Sequence, residues 1–291
     1  MIITVAGGKG GTGKSMTATS LAYAYTQKIK TLLVDVDVEC PNDHLLLNVT
    51  KNIVEPIYQV IPKWNFEKCI LCGQCAKVCK QQSIAFVSGR KPAFVPDRCI
   101  GCKACFIACP VGAISEDRKE IGMLYRGQNY GVDLILGELK LGELASGEIV
   151  SYVRAYVDQI IVDENPQRII VDAAAGIGCP VIASITGADY LVAVTEPTPS
   201  ALHDLKRMVY LAKHFQIPCG IVINKFDLES SFCLSIEAYA KDQNIPVIGY
   251  IPYHRDFVDA SLKMEPVLAG YPKYLNIFSD MIDRLEKEVR S

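Results

Sequence analysis

Gly7-Gly8-Lys9-Gly10-Gly11-Thr12-Gly13-Lys14-Ser15 stands directly behind the apolar run MIITVA of residues 1–6 and directly ahead of residues 16–28. The run before it is short and β-branched and reads as a buried strand, and the stretch after it reads as a helix. From Gly8 the loop matches G-x-x-x-x-G-K-[ST] in a strand, glycine loop, helix setting. Gly8, Gly10, Gly11, Thr12 and Gly13 let successive backbone N–H groups face phosphate oxygens. The helix start at Ser15 and Met16 adds its positive dipole end. Lys14 would hold the β- and γ-phosphates, and Ser15 would ligate Mg²⁺. The stretch therefore reads as a nucleotide site.

The second lysine, Lys9, falls in K-G-G-x-G-K-S. This resembles the deviant Walker A motif of the MinD, Mrp and nitrogenase iron protein class of ATPases. The resemblance implies a homodimer with two nucleotides sandwiched at its interface, each Lys9 reaching the partner's phosphates. A cation supplied in trans is worth about 10³ to 10⁵ in phosphoryl-transfer rate.

With 291 residues the chain can bury a full core and carry one large domain and one small one. A net charge of -2 and the lack of a basic block argue against nucleic acid as a partner. The N-terminus enters the first strand without a charged or apolar leader, and no apolar run approaches the about 18 residues of a membrane span. A cytoplasmic location with no membrane contact is expected.

Of twelve cysteines, eight fall in two runs. They are Cys69-x2-Cys72-x2-Cys75-x3-Cys79 and Cys99-x2-Cys102-x2-Cys105-x3-Cys109-Pro110. Lys68-Cys69-Ile70 corresponds to Arg98-Cys99-Ile100, and Ser83-Ile84 to Ala113-Ile114, so the segment is a repeat. Structural zinc uses paired C-x2-C knuckles with four ligands each, and two runs of four fit cubanes better. The pattern resembles a bacterial two-cluster ferredoxin, in which the fourth cysteine of each run serves the other cluster. The resemblance implies two 4Fe-4S clusters, one on Cys69, Cys72, Cys75 and Cys109, the other on Cys99, Cys102, Cys105 and Cys79. Cys79 is followed by Lys80 where that pattern has proline.

On either side the α/β pattern runs through. KTLLVDVD at residues 30–37 reads as a buried strand ending in acids, where doubly wound folds present their ligand site. By resemblance to MinD-like enzymes, Asp37 orients the attacking water and Asn42 belongs to the first switch. Asp35 reads as a strand-end group and Cys40 as a residue of that switch. Residues 132–141 read as a strand with Gly137 at a bend or bulge, and residues 147–161 as a helix. RIIVD at 168–172 with Ala173 to Gly176 resembles a Walker B strand and second switch. Asp172 would then hold Mg²⁺ through water, and the Gly176 N–H would sense the γ-phosphate. Cys179 stands seven residues after Asp172, a spacing at which the nitrogenase iron protein holds a shared cluster, so it is a candidate metal ligand.

Residues 188–195 read as another strand, with Glu196-Pro197-Thr198-Pro199-Ser200 opening a helix whose His203 and His214 read as ordinary packing residues. Asn224-Lys225-Phe226-Asp227 reads literally as N-K-x-D, the guanine motif. MinD-like ATPases place asparagine there to meet adenine, so ATP is favoured. Pro252 ends a last strand and resembles the segment that closes over the base, with His254 a loop residue. The final helix sets Leu275, Phe278, Ile282, Leu285 and Val289 on one side, and its polar face mixes Asp280, Asp283, Glu286 and Glu288 with Lys273, Arg284, Lys287 and Arg290. A basic face for membrane binding is missing, and packing against the body is expected.

The fold expected is an α/β, doubly wound, mostly parallel P-loop domain (1–60 and 117–291) interrupted by a small α+β ferredoxin-like domain (61–116). Expected function is an ATP-hydrolysing iron-sulfur protein in which a nucleotide-switched dimer gates electron transfer to a redox or metalloprotein partner. A scaffold that carries a cluster or metal, with Cys179 at the dimer interface, is the alternative. Spatial positioning on membrane or DNA explains none of the cysteines.

Overall fold

The computed structural model describes residues 1–290; Ser291 and the side chain of Arg290, one of the charges expected on the last helix, lie outside it. β1 (Ile2–Gly7) leads through the glycine loop into α1 (Lys14–Thr26), and β2 (Thr31–Val36) ends in a turn that holds the short α2 (Asp43–Leu46). β3 (Asn52–Trp64) then leaves the body, and residues 65–113 carry α3 (Gln74–Val78), β4 (Ile84–Ala85), β5 (Ala93–Phe94) and α4 (Ala104–Ile107). The chain returns as β6 (Ile114–Asn129), turns through Tyr130 and Gly131 into β7 (Val132–Leu139), and enters α5 (Ser146–Glu164). Both turn residues have positive φ, 50° and 77°, which matches a two-residue hairpin turn of the primed kind.

Regular alternation follows. It comprises β8 (Arg168–Ala175), α6 (Cys179–Ile185), β9 (Tyr190–Thr195), α7 (Pro199–His214), β10 (Cys219–Asn224), α8 (Ser230–Asp242) and β11 (Val247–Ile251). α9 (Arg255–Leu262), α10 (Val267–Gly270) and α11 (Leu275–Arg290) close the chain. The sheet order is β11-β10-β9-β1-β8-β2-β7-β6-β3. Strands β11 to β7 in that order are mutually parallel, while β6 and β3 are antiparallel to their neighbours.

Helices cover both faces because the parallel strands are apolar on both faces. Ile3, Val5, Leu33, Val192 and Val194 point into a core closed by α1 and α11, while Ala6, Leu191 and Ala193 point to α6, α7 and α8. Leu32, Val34, Ile135 and Ile169 pack on α5. Phe278, Met281, Ile282 and Leu285 of α11 are buried, and Glu286 forms an ion pair with Arg168 at 2.6 Å, so the last helix packs on the body as its mixed polar face implies. Among the described residues no helix is long and apolar enough to cross a membrane.

Two details depart from the sequence reading. Gly137 sits in unbroken antiparallel register opposite Leu124, with no bulge. Its lack of a side chain serves packing, because a Cβ there would lie 2.6 Å from Val153 Cγ2 and 3.0 Å from Ile149 Cγ2. Gly137→Ala is therefore expected to destabilise the fold by about 1–3 kcal/mol through overpacking. A lower denaturant midpoint would show it, and an unchanged midpoint would mean that α5 yields freely.

The second departure is the length of the ribbon. β3 runs on to Trp64 and β6 starts at Ile114, pairing Asn52 with Arg126 and Trp64 with Ile114. β6 meets β7 only from Gly122 to Asn129, so the outer half of the ribbon projects past the sheet. Pro56 and Pro62 hide this strand in the sequence. They are accommodated because β3 is the edge strand, where a missing N–H costs no ladder bond.

Candidate functional site

Every functional residue expected near the nucleotide lies at the carboxyl ends of the parallel strands, with β1 between β8 and β9. The loop glycines divide into two kinds. A Cβ on Gly8 would lie 2.3 Å from Asp204 Cβ, and one on Gly13, at φ 92°, would lie 2.2 Å from Asn224 Nδ2. Gly10 and Gly11 instead face open space, which leaves the backbone free to cradle phosphate. Lys14 and Thr12 are buried at the helix start, and Ser15 follows.

Lys9 does not hang free. Its Nζ is 2.8 Å from Glu196 Oε1 and 3.2 Å from Ser200 Oγ in its own chain. Lys225 shares the same carboxylate at 2.9 Å and also donates to the Gly11 carbonyl at 3.1 Å. Asn224 donates its amide to the Thr12 carbonyl at 2.8 Å and accepts from the Lys225 N–H, so it braces the loop. Asn224, Lys225, Met16, Pro252, Phe257 and Val258 line a cleft of about 390 Å³, within the range of small-molecule sites. Asp227, the acid of the literal N-K-x-D, accepts the Tyr253 N–H at 2.7 Å and so ties down the loop after β11.

Behind the phosphate loop, acids gather. Asp35 is fully buried; its Oδ1 accepts the Asp37 N–H, and its Oδ2 accepts the N–H groups of Asn42 and Asp43. Asn42 is exposed at the start of α2, and Asp37 is half-buried. Burial raises the Asp37 pKa, and Lys14 opposes that rise. Asp172 is fully buried, and burial lifts its pKa to about 7 against the pull of Ser15 and Lys14. Neither Asp172 oxygen has a well-formed hydrogen bond, although the Ser15 hydroxyl is near enough to stabilise the charged form. Asp43 joins them, also fully buried and with both oxygens unpartnered. Gly176, at φ 99°, donates its N–H to the Gly7 carbonyl at 3.1 Å, so the turn after β8 is bonded to the start of the glycine loop.

The eight clustered cysteines line two cavities. Cys79, Cys99, Cys102 and Cys105 line one with Val60 and Pro62. Cys69, Cys72, Cys75 and Cys109 line the other with Trp64 and Val111. Each cavity thus joins three cysteines of one run to the last cysteine of the other. A tetrahedral zinc with Zn–S bonds of about 2.3 Å would bring its sulfurs within about 3.8 Å of one another. Among the described residues no three cysteine sulfurs lie within 4.8 Å of one another, so no tetrahedral zinc site is laid out there. Cys79 Sγ accepts the Ser83 N–H and Cys109 Sγ the Ala113 N–H, both at 3.2 Å, so the repeat extends to its hydrogen bonds. Burial pushes the Cys79 thiol up, but Ser83 and neighbouring backbone N–H groups outweigh it and hold the thiol below its ordinary range.

The sequence profile of the CobQ/CobB/MinD/ParA nucleotide-binding domain matches residues 3–267. The chain belongs to that family of P-loop ATPases. An uncharacterized protein of Methanocaldococcus jannaschii is 33% identical over 275 residues, covering 92% of this chain and 91% of its own length. A cytosolic Fe-S cluster assembly factor NUBP2 homolog from Nematostella vectensis is 26% identical over 267 residues, or 86% of this chain and 78% of its own. The septum site-determining protein MinD of Pyrococcus horikoshii, solved with Mg-ADP, superposes with a TM-score of 0.63 at 16% identity over 98% of this chain and 96% of its own. The α/β fold and its mostly parallel sheet are those of MinD, and ATP with Mg²⁺ fits this fold.

Within this family fold, the first turn of α5 bridges two regions. A Cβ on Gly147 would lie 3.4 Å from Cys179 Cβ, at the start of α6 behind the Walker B strand. The next residue, Glu148, faces Gly101, where a Cβ would lie 3.3 Å from Glu148 Oε2 and 3.1 Å from Gln59 Cγ. Cys179 itself is exposed; Cys40 is exposed in the turn after β2, and its N–H donates to the Asp37 carbonyl. His254 caps α9, and His214 stacks on Tyr210.

Asp43 and Glu196 escaped the sequence reading. Asp43 follows the switch asparagine with no spacing rule to mark it, and only the fold shows it facing Asp172. Glu196 passed as part of a helix start, although its place after β9, opposite the loop lysines, was the available signal.

Proposed function

We propose that the chain is an ATP-hydrolysing iron-sulfur protein in which a nucleotide-switched homodimer gates electron transfer through two 4Fe-4S clusters, serving maturation or activation of a redox or metalloenzyme. The observation that carries the reading is the pairing of cysteines across the two runs in the two cavities, the arrangement of two-cluster ferredoxins. Residues 61–116 are then the ferredoxin-like insertion, and 1–60 and 117–291 form the ATPase domain.

In this reading Lys14 and the loop N–H groups hold the β- and γ-phosphates, while Ser15 and Asp172 hold Mg²⁺. Asp37 orients water, Asn42 and Gly176 respond to the γ-phosphate, and Met16, Asn224, Lys225 and Pro252 enclose the base. Lys9 leaves Glu196 for the partner's nucleotide. Bound clusters supply one-electron carriers, and the cysteine thiolates, with the N–H groups on Cys79 and Cys109, set their ligand field. Cytoplasmic location and the absence of nucleic-acid and membrane partners belong to the same proposal.

The test is anaerobic iron and sulfide analysis with EPR of the reduced protein, with and without ATP, on wild type and Cys179→Ser. About eight irons per chain in both, with nucleotide-dependent spectra, are expected. Spectra and potentials indifferent to ATP would end the gating reading. A carrier role is the second reading, favoured by the likeness to the Fe-S cluster assembly factor homolog and by the exposed Cys179. It requires iron above eight in wild type alone, lost on adding ATP.

A further inference from the structure

Asp35, Asp43 and Asp172 each offer a carboxylate oxygen within 4.8 Å of the other two, and all three side chains are fully buried. An acidic cluster alone says little. Here, however, Asp43 points into the cluster with both oxygens unpartnered, and so does Asp172. Lys14 is the cation facing Asp43 and Asp172, and Asp37 adds a further negative charge to the same space. One ammonium cannot neutralise this set, and buried carboxylates demand a partner charge.

Asp35 prepares the geometry. By accepting the N–H groups of Asp37, Asn42 and Asp43 it holds the turn that carries Asp43, while Oδ1, which accepts only one of the three, keeps a lone pair to spare. The group is made of oxygen donors alone, the set preferred by hard divalent cations.

We propose that this pocket binds one hard divalent cation, Mg²⁺ or Mn²⁺, before any nucleotide arrives, with Asp43 supplying a direct ligand oxygen. The inference deepens the nucleotide-site reading, in which Mg²⁺ is held by Ser15, Asp172 and the phosphates, and rests on it only for its setting. The metal would be resident first, and the incoming phosphates would complete its coordination. Asp43 would then be a metal ligand that the phosphate-loop motif does not mark.

The experiment is a Mn²⁺ titration of nucleotide-free, cluster-loaded protein, following loss of the free Mn²⁺ EPR signal. Wild type is expected to take up about one Mn²⁺ per chain. The isosteric Asp43→Asn should bind at least about tenfold more weakly, as removal of a metal-site group typically costs 10- to 100-fold. The wild-type melting temperature should rise with Mn²⁺, a readout that needs no variant. Asp43→Asn should melt higher than cation-free wild type and ignore Mn²⁺, because a buried charge is gone. No uptake without nucleotide, or equal uptake by Asp43→Asn, overturns the proposal. Failure of ATP itself to bind, with Mn²⁺ uptake intact, would sink the nucleotide reading and leave the cation site standing.

Discussion

Lys9→Ala is expected to lower ATP turnover by about 10³- to 10⁵-fold while leaving nucleotide binding to a single chain within a few-fold of wild type, the signature of a cation supplied across an interface. The two halves of that expectation come from different residues. Lys14 is buried at the head of α1 beside the phosphate cradle and belongs to its own chain's site. Lys9 is held by Glu196 and Ser200 at the edge of the loop. Turnover should therefore rise more than linearly with protein concentration in wild type and lose that dependence in the variant. If Lys9→Ala hydrolysed ATP at the wild-type rate, Lys9 would be no more than a partner for Glu196, and the sandwiched dimer would lose its basis.

The second large effect concerns the cysteines. Cys79→Ser should remove the same four irons as Cys99→Ser, although the two residues belong to different runs, because both line one cavity. The double variant Cys79→Ser/Cys99→Ser should then lose no more iron than either single change. Cys79→Ser/Cys75→Ser should lose all of it, since Cys75 lines the other cavity. Substituting the within-run pair Cys75 and Cys79 would thus do more damage than substituting the between-run pair Cys79 and Cys99. The opposite ordering, with each run acting as a unit, would exclude the crossed arrangement. Losses are best read as iron per chain beside an unchanged circular dichroism spectrum, so that unfolding is not mistaken for cluster loss.

Much of this molecule could be read before it was seen, and the reasons are local. Apolar β-branched runs, the glycine loop and the cysteine spacing are short-range patterns, so β1, β2, β8 and the two runs were legible. The pairing of β3 with β6 was not. Its partners lie some sixty residues apart, Asn52 against Arg126 and Trp64 against Ile114 at the extremes, and two prolines mask the strand. Gly137 read as a bend because sequence shows a missing side chain but not the Val153 and Ile149 atoms that fill its place. The acids show the same limit: Asp35 and Asp172 interrupt apolar strand runs and announce themselves, whereas Asp43 matters through its proximity to Asp172, 129 positions on, as counting from 43 to 172 gives.

The first turn of α5 has a consequence for direction. Gly147 lies beside Cys179, and Glu148 beside Gly101 in the loop around Cys99 and Cys102, each close enough that a Cβ on the glycine would reach its neighbour. That cavity lies by Val60 and Pro62, nearer the sheet, while its counterpart lies by Trp64 at the ribbon's end, where Ile70 is 60% exposed. The two cysteine cavities therefore differ in what they lie against. In the reading proposed above, the cavity nearer the sheet would be meshed through α5 to the nucleotide site like a gear tooth, giving ATP purchase on one end of the wire.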